Sequence, residues 1–428
     1  MSKFRNSTTV ITIIAMMFLY AMISFVTNLA APVGEIWEKS YENSNNIMGM
    51  LGNMMNFLAY LIMGIPAGKL LERLGYKKTA LLAIAIGFLG IFVQYLSGVV
   101  LSFVVYLLGA FIAGFSVCML NTVVNPLLNL LGGGGNRGNQ LNMIGGTLNS
   151  LSGTLTPMIV GALIGESLAG KSISDVNIVL FVAMAVFVIV FIIIFFAPIA
   201  EPNRVTNETK FEHSPWSFRH FVLGACAIFF YVGVEIGIPG TLISYLSDIE
   251  VGKCLPYQTA TFIAGLYWLL MLVGRFVGSF ISSKVSSRVM VACVSTVAIL
   301  LMLCAIFFGN DVVIKMPVDW SFKMGELPLA SLLLILCGLC TSVMWTSIFN
   351  MAVEGLGKYT AAASGIFMMM VVGGGIVPLI QSGCADLFAV EGGQGFLYSY
   401  IVPIIAVAYI LWYALRGSKN VNTDIPVK

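Results

Sequence analysis

Glu235 lies in segment 229–240 (FFYVGVEIGIPG), inside an apolar stretch long enough to cross a membrane, and is the one acid set deep in such a stretch. A carboxylate there is costly, so it marks a partner, a wet cavity or an ion path, and it can titrate or attract a cation. Asn28, Asn53, Asn56, Asn121, Asn125, Asn149, Asn350 and Gln381 are amides in or near similar stretches. Each offers two donors and an acceptor. Burying one uncompensated costs about 2–7 kcal/mol, so some must satisfy one another or a polar ligand. Asn121 and Asn125 are four residues apart and share a helix face, the best pair in the first half to line a polar cavity. Tyr231, Tyr267, Trp268 and Trp345 add aromatic faces with polar edges; each alone is more often a packing residue or an interface anchor, and only their clustering on helices 7, 8 and 10 points to a site. Other chemistry is poorly served. Cys337 and Cys340 form a C-x-x-C surrounded by Leu and Gly, which reads as small packing residues. His213 and His220 lie in or beside the central loop, leaving no buried imidazole as a proton relay. There is no metal-ligand cluster and no pair of acids, and the glycine run 132–135 lacks the Lys-Ser/Thr of a phosphate loop. Neither an enzyme nor a cofactor is expected, beyond a coupling proton or sodium ion.

The elements that must position these residues are membrane helices. The chain has 428 residues with 10% charged and a mean hydropathy of +0.96, against about 25% charged in soluble domains. Twelve apolar runs of spanning length follow: 9–33, 47–68, 79–99, 101–131, 140–165, 176–199, 218–247, 258–281, 288–309, 327–353, 360–384 and 395–415. The first is too long for a signal-peptide core and reads as an uncleaved helix. Most of the 22 Lys and Arg fall in alternate loops and both tails, which puts both termini in the cytoplasm. The net charge of +3 includes no basic patch suited to nucleic acid.

The longest polar break, 201–217, divides the chain into a six-helix bundle over 1–200, a cytoplasmic linker, and a second six-helix bundle over 218–428. The halves look related. An offset of 207 takes Asn28 to Glu235, Pro32 to Pro239 and Tyr60 to Tyr267. An offset of 225 takes Met119, Asn125 and Gly132 to Met344, Asn350 and Gly357, and one of 221 takes Gly153 and Pro157 to Gly374 and Pro378. A parallel duplication of this kind places a site at the midplane, between halves that rock around it.

Helix 2 ends in GIPAGKLLERLGYKK, residues 64–78, which resembles the signature after helix 2 of the major facilitator superfamily. Gly64 and Gly68 permit close helix contact, Gly75 a tight turn, and Arg73, Lys77 and Lys78 hold the loop inside. The signature's usual Asp is replaced by Lys69 or Glu72, which alters its charge latch. The counterpart in the second half is 274–278 (GRFVG), where Arg275 reads as an inner-gate residue snorkelling to the cytoplasm.

Segments 229–235 (FFYVGVE), 267–268 with 274–278, 346–349 (TSIF), 355–358 (GLGK), 364–366 and 372–381 (VGGGIVPLIQ) resemble helices 7, 8, 10 and 11 of the fucose–galactose–glucose:cation symporter family; Asn125-Pro126 and Asn149-Ser150 resemble its helices 4 and 5. That resemblance implies a monomeric, multi-pass protein of the bacterial inner membrane, with a small sugar as substrate and the lipid bilayer as surroundings. Where the fucose permease branch carries acids on helices 1 and 4, this chain has Asn28 and Asn121, which cannot hold a proton.

The expected protein is an all-α, twelve-helix transporter importing a neutral hexose or a relative by alternating access, coupled to a proton or sodium. A uniporter is the alternative; a sugar sensor is a third reading. Asn28, Asn121, Asn125 and Asn149 would bind from the first half, and Glu235, Tyr267, Trp268, Trp345, Asn350 and Gln381 from the second. Gly68, Arg73, Gly75 and Arg275 would gate. For Glu235, three roles stay open: a neutral hydrogen-bonded structural acid, a sugar contact, and a cation-coupling site.

Overall fold

The computed structural model describes residues 7–39, 46–131, 135–164, 177–199, 213–247, 255–281, 285–356, 359–388 and 394–419. Six helices make the first half: α1 (Ser7–Lys39), α2 (Asn46–Leu74), α3 (Tyr76–Val100), α4 (Phe103–Leu131), α5 (Gly135–Ile164) and α6 (Asn177–Phe196). Each is continuous. The second half opens with α7 (Arg219–Ser247), α8 (Tyr257–Ile281) and α9 (Ser287–Phe308), also continuous. Its last three spans are broken. The tenth is α10 (Leu329–Thr341) followed by α11 (Met344–Val353). The eleventh is α12 (Thr360–Met369), one 3-10 turn over Met370–Val372, then α13 (Gly373–Leu387). The twelfth is α14 (Gln394–Tyr398) and α15 (Ile401–Leu415).

Among the described residues, eleven spans are long and apolar enough to cross a membrane, and the protein is a multi-pass membrane protein. The exception is the expected run 140–165. It is helical as α5, but its polar residues keep it out of that set. They have somewhere to go, because α5 packs on α1, α4 and α8. By contrast α6 has the highest mean hydropathy, 3.6, and turns Ile178, Phe181, Val188, Ile192 and Phe195 outward, as a lipid-facing helix does.

Two seams join the halves. In one, α5 lies along α8; in the other, α2 lies along α12 and α13. The repeat-related glycines sit one in each. A Cβ on Gly153 of α5 would stand 3.2 Å from the Trp268 ring of α8. A Cβ on Gly374 of α13 would stand 2.7 Å from the Phe57 ring of α2.

The α2–α3 connection is the tight turn expected at Gly75, whose φ of 80° is open chiefly to glycine. There Lys77 donates to the Ala197 carbonyl just past α6, at 2.9 Å. Arg288 at the start of α9 does the same after α15, donating to the Ser418 carbonyl at 3.2 Å. Each half therefore ties its third helix to the end of its sixth. Gly64 makes the expected close contact, with Met369 of α12 beside its Cβ position. Gly68 does not: nothing lies within 4 Å of a Cβ there. The helix contact expected at Gly68 is not made among the described residues.

Two further features depart from the sequence reading. A two-stranded hairpin, β1 (Val313–Pro317) with β2 (Met324–Pro328), connects α9 and α10. And His220, expected in or beside the loop and unavailable inside, is fully buried at the start of α7, with its Nε2 2.7 Å from the Glu354 carbonyl. It lies fifteen residues before Glu235 on the same helix, about 22 Å along the axis, and takes no part in the site.

Candidate functional site

Glu235 is in the middle of α7 and 9% exposed. Its partner is Arg275 of α8: the guanidinium Nη2 stands 3.3 Å from Glu235 Oε1. Two lone opposite charges in apolar helices have found each other, which removes most of the cost of either alone. The same guanidinium reaches across the seam. Its Nη1 donates to the Gly146 carbonyl at 2.6 Å and to Ser150 Oγ at 2.8 Å, both on α5. Arg275 therefore does not snorkel to the membrane surface as expected. A charge partner and two acceptors inside the bundle outcompete the water it would otherwise reach. Tyr231, one helical turn before Glu235, is fully buried, and its hydroxyl has no hydrogen-bond partner among the described residues.

The first half continues this polar path without charge. Tyr20 of α1 donates to Asn125 Oδ1 of α4 and, at 3.3 Å, to Asn142 Oδ1 of α5. Asn125 Nδ2 donates to the Asn121 carbonyl at 2.9 Å, and Asn121 Nδ2 to Tyr60 Oη of α2 at 2.8 Å. Asn149 Nδ2 donates to the Tyr20 carbonyl at 3.2 Å. Asn28 bonds within its own turn, to the Ser24 carbonyl at 2.8 Å and to Ser24 Oγ at 3.1 Å. Four helices are linked by amides and phenols, and α5 carries the line on to Arg275.

The second-half aromatics form a wall beside the ion pair. Tyr267 and Trp268 sit edge to face at 5.6 Å, and Tyr267 Oη lies 2.9 Å from Thr341 Oγ1 at the end of α10. Trp345, just past the α10–α11 break, packs on Tyr231 at 6.0 Å and on Phe367 at 5.8 Å. Breaks at this depth occur where backbone faces protein or a cavity, and they are common at the binding sites of transporters.

Gln381 of α13 is the most informative amide. It is fully buried, and neither its Nε2 nor its Oε1 has a partner among the described residues. It lies against α7: a Cβ on Gly237 would stand 2.5 Å from Oε1. Gly237 is two residues past Glu235. A buried amide with its bonds unmade can take a water or a polar ligand, and Gln381 shares that condition with the Tyr231 hydroxyl on the facing helix.

Of the expected binding residues, Asn121, Asn125 and Asn149 join the polar path, and Tyr267, Trp268, Trp345 and Gln381 cluster around α7 and α8. Asn350 does not join them. It is exposed near the end of α11 and makes none of the hydrogen bonds of the polar path. Arg73 is likewise exposed, at the end of α2. Sequence reasoning missed Tyr20, Asn142 and Ser150. The signal was present: Asn142, Gly146, Asn149, Ser150 and Gly153 recur at helical spacing and mark a polar face on α5.

The family described as Major Facilitator Superfamily matches residues 13–379. A glucose/galactose transporter from Brucella abortus (strain 9-941) is 29% identical over 94% of this chain and 92% of that protein. The L-fucose-proton symporter of Escherichia coli K12 is 22% identical over 95% of this chain and 92% of that protein. The crystal structure of the transporter FucP in the outward conformation superposes with a TM-score of 0.69 at 20% identity, covering 96% of this chain and 99% of that one. A bacterial homologue of the lysosomal transporter Spinster, inward-facing, also gives 0.69 at 12% identity, covering 98% of this chain and 100% of that one.

Proposed function

The chain belongs to the Major Facilitator Superfamily, and from that premise we propose that it imports a neutral hexose or a close relative by alternating access. The relatives named as glucose/galactose transporters and as an L-fucose-proton symporter support the substrate class. So does the chemistry: a site of amides, phenols and indoles, whose one acid and one base cancel, suits an uncharged polyol. The second half supplies the aromatic wall and Gln381; the first half supplies Asn121, Asn125 and Asn149, with Asn28 at its edge. In this reading both termini are cytoplasmic, since the bundle end with the Gly75 turn carries Arg73, Lys77, Lys78, Arg219, Arg288 and Arg416. The membrane is the bacterial cytoplasmic membrane.

The unpartnered Gln381 amide carries the proposal. A sugar hydroxyl would complete its bonds, and Gln381→Leu leaves nothing to complete. The variant is expected to bind the sugar about tenfold more weakly or worse, equivalent to about 1–3 kcal/mol, without melting earlier in the absence of sugar. Calorimetry beside a melting curve checks both halves of this. Unchanged affinity removes Gln381 from the site.

Coupling rests on the Glu235–Arg275 pair. Protonating Glu235 would discharge it and release the guanidinium from α7, so proton binding and the seam between halves become one event. A sodium ion would find the carboxylate's charge already met by Arg275, so the proton is the favoured cation. The same pairing supports the second reading. If Glu235 never leaves Arg275, the pair is structural and the protein is a uniporter. Glu235→Gln separates them. Under symport, uphill uptake into vesicles is lost while sugar exchange continues. Unchanged uphill uptake would falsify the coupling role.

A further inference from the structure

The hairpin between α9 and α10 has a use that transport itself does not require. Its strands pair in the register Val313↔Pro328 through Pro317↔Met324. One face is buried through Met316 and Leu327. The tip points the other way: Trp320 is 53% exposed and Phe322 75% exposed, followed by Met324. Phe322 is held outward in a left-handed conformation, φ 57°, which is unfavourable for a bulky residue.

Trp320 rests edge-on against Phe262 of α8, with ring centroids 5.7 Å apart. Phe262 shares its helix face with Leu269, Val273, Phe276 and Phe280, which lie seven, eleven, fourteen and eighteen residues on. Those four are exposed apolar side chains on a membrane-spanning helix, so this stripe faces lipid. Phe262 is the buried member of the stripe at 5% exposed, and Trp320 is the ring that covers it. The hairpin therefore folds down over the lipid-facing side of the bundle instead of standing away in water.

The depth fits. With 25 residues, α8 is about 37 Å long, against a hydrocarbon core of about 30 Å. An upright α8 leaves about 4 Å of helix outside the core at each end. Phe262 is five residues in from Tyr257, about 7.5 Å along the axis. On that placement Phe262 lies about 4 Å inside the core, and the Trp320 ring packed on it is within a ring's width of the boundary between headgroups and acyl chains, where indole rings are favoured. The hairpin's charges do not oppose this. Lys315 stands opposite Glu326 in the register. The Asp319 carboxylate accepts from the backbone N–H of Ser321 at 2.9 Å and of Lys323 at 3.2 Å. Two Lys, one Asp and one Glu cancel, so the hairpin suits a zwitterionic boundary and needs no anionic lipid.

We propose that the tip of this hairpin, Trp320 and Phe322, is an anchor inserted into the headgroup–acyl boundary of the outer leaflet, pinning α8 at a fixed depth in the membrane. The test is tryptophan quenching of the full-length protein in nanodiscs of phosphatidylcholine brominated near the top of the acyl chain or near its end. Wild type minus Trp320→Phe isolates the Trp320 emission. That component is expected to be quenched at least twofold more by the shallow bromines than by the deep ones, to resist aqueous iodide, and to be unchanged by added phosphatidylglycerol. Quenching by iodide but by neither bromolipid overturns the proposal, since the tip then stands in water. Resistance to all three quenchers overturns it too, since the tip is then covered by protein.

Discussion

The two seams between the halves are related by the internal repeat, yet they are held by different physics. Along α2 and α13 the contact is close packing with hydrogen bonds, from Asn53 Nδ2 to the Gly374 carbonyl at 2.9 Å and from the Ile47 backbone N–H to Asp386 Oδ2 at 3.4 Å. Along α5 and α8 the packing is as close, a Cβ on Gly265 standing 2.6 Å from Met158, but a charge is added: Arg275, paired with Glu235 of α7, donates to Gly146 and Ser150 of α5. The offset of 207 that relates Asn28 to Glu235 also relates Gly68 to Arg275. Where one half has a charge pair, the other has an amide bonded within its own turn and a glycine facing open space. The lesson is that two halves of like helix order need not be tied alike: only the α5–α8 seam is crossed, among the described residues, by a guanidinium.

Substitutions that treat the seams unequally test this contrast. The largest effect is expected from Arg275→Ala, which leaves Glu235 buried and unpaired and unties α5. A loss of about 3–5 kcal/mol is expected, visible as a lowered melting temperature and regained in large part by adding Glu235→Gln. If the double variant melts no higher than Arg275→Ala, the ionic account of this seam fails. Next comes Gly374→Val in the packed seam, whose side chain must enter space held by Phe57 and Val232. Overpacking of this kind costs about 1–3 kcal/mol, and here the melting loss should be the same with or without Glu235→Gln. Smallest, and opposite in sign, is Gly68→Ala. Nothing lies near its Cβ position, and a helical glycine costs about 0.5–1 kcal/mol relative to alanine. A slightly higher melting temperature is expected, and a lower one would mean that α2 closes on a neighbour during transport.

Much of this architecture was legible in the sequence, for a physical reason. Spans are set by hydropathy over about 20 residues, a signal that no tertiary contact can hide, and the repeat was visible in widely spaced Asn, Gly and Pro. The turn at Gly75 was legible because one residue type suits that backbone. The breaks at 342–343 and 370–372 were not, since the Thr and Ser beside the first and the glycines after the second also occur inside unbroken membrane helices. The short hairpin also escaped, because ten strand residues between two long helices carry little periodic signal. At the site, the residue types were readable but their pairing was not. Glu235 and Arg275 are forty positions apart on different helices. What could have joined them is charge balance: two isolated opposite charges in apolar spans have few other ways to be tolerated. Gln381 and Asn350 looked alike as amides near helices. Only the direction each helix faces separates the buried one from the exposed one.

The tie between Glu235 and Arg275 also constrains how this protein can change over evolutionary time. Either residue lost alone strands a charge in the membrane, so the viable route passes through both. Among descendants of this chain, positions 235 and 275 should vary as a unit, charged together or neutral together, while Gly146, which offers only its backbone carbonyl, stays free of that linkage.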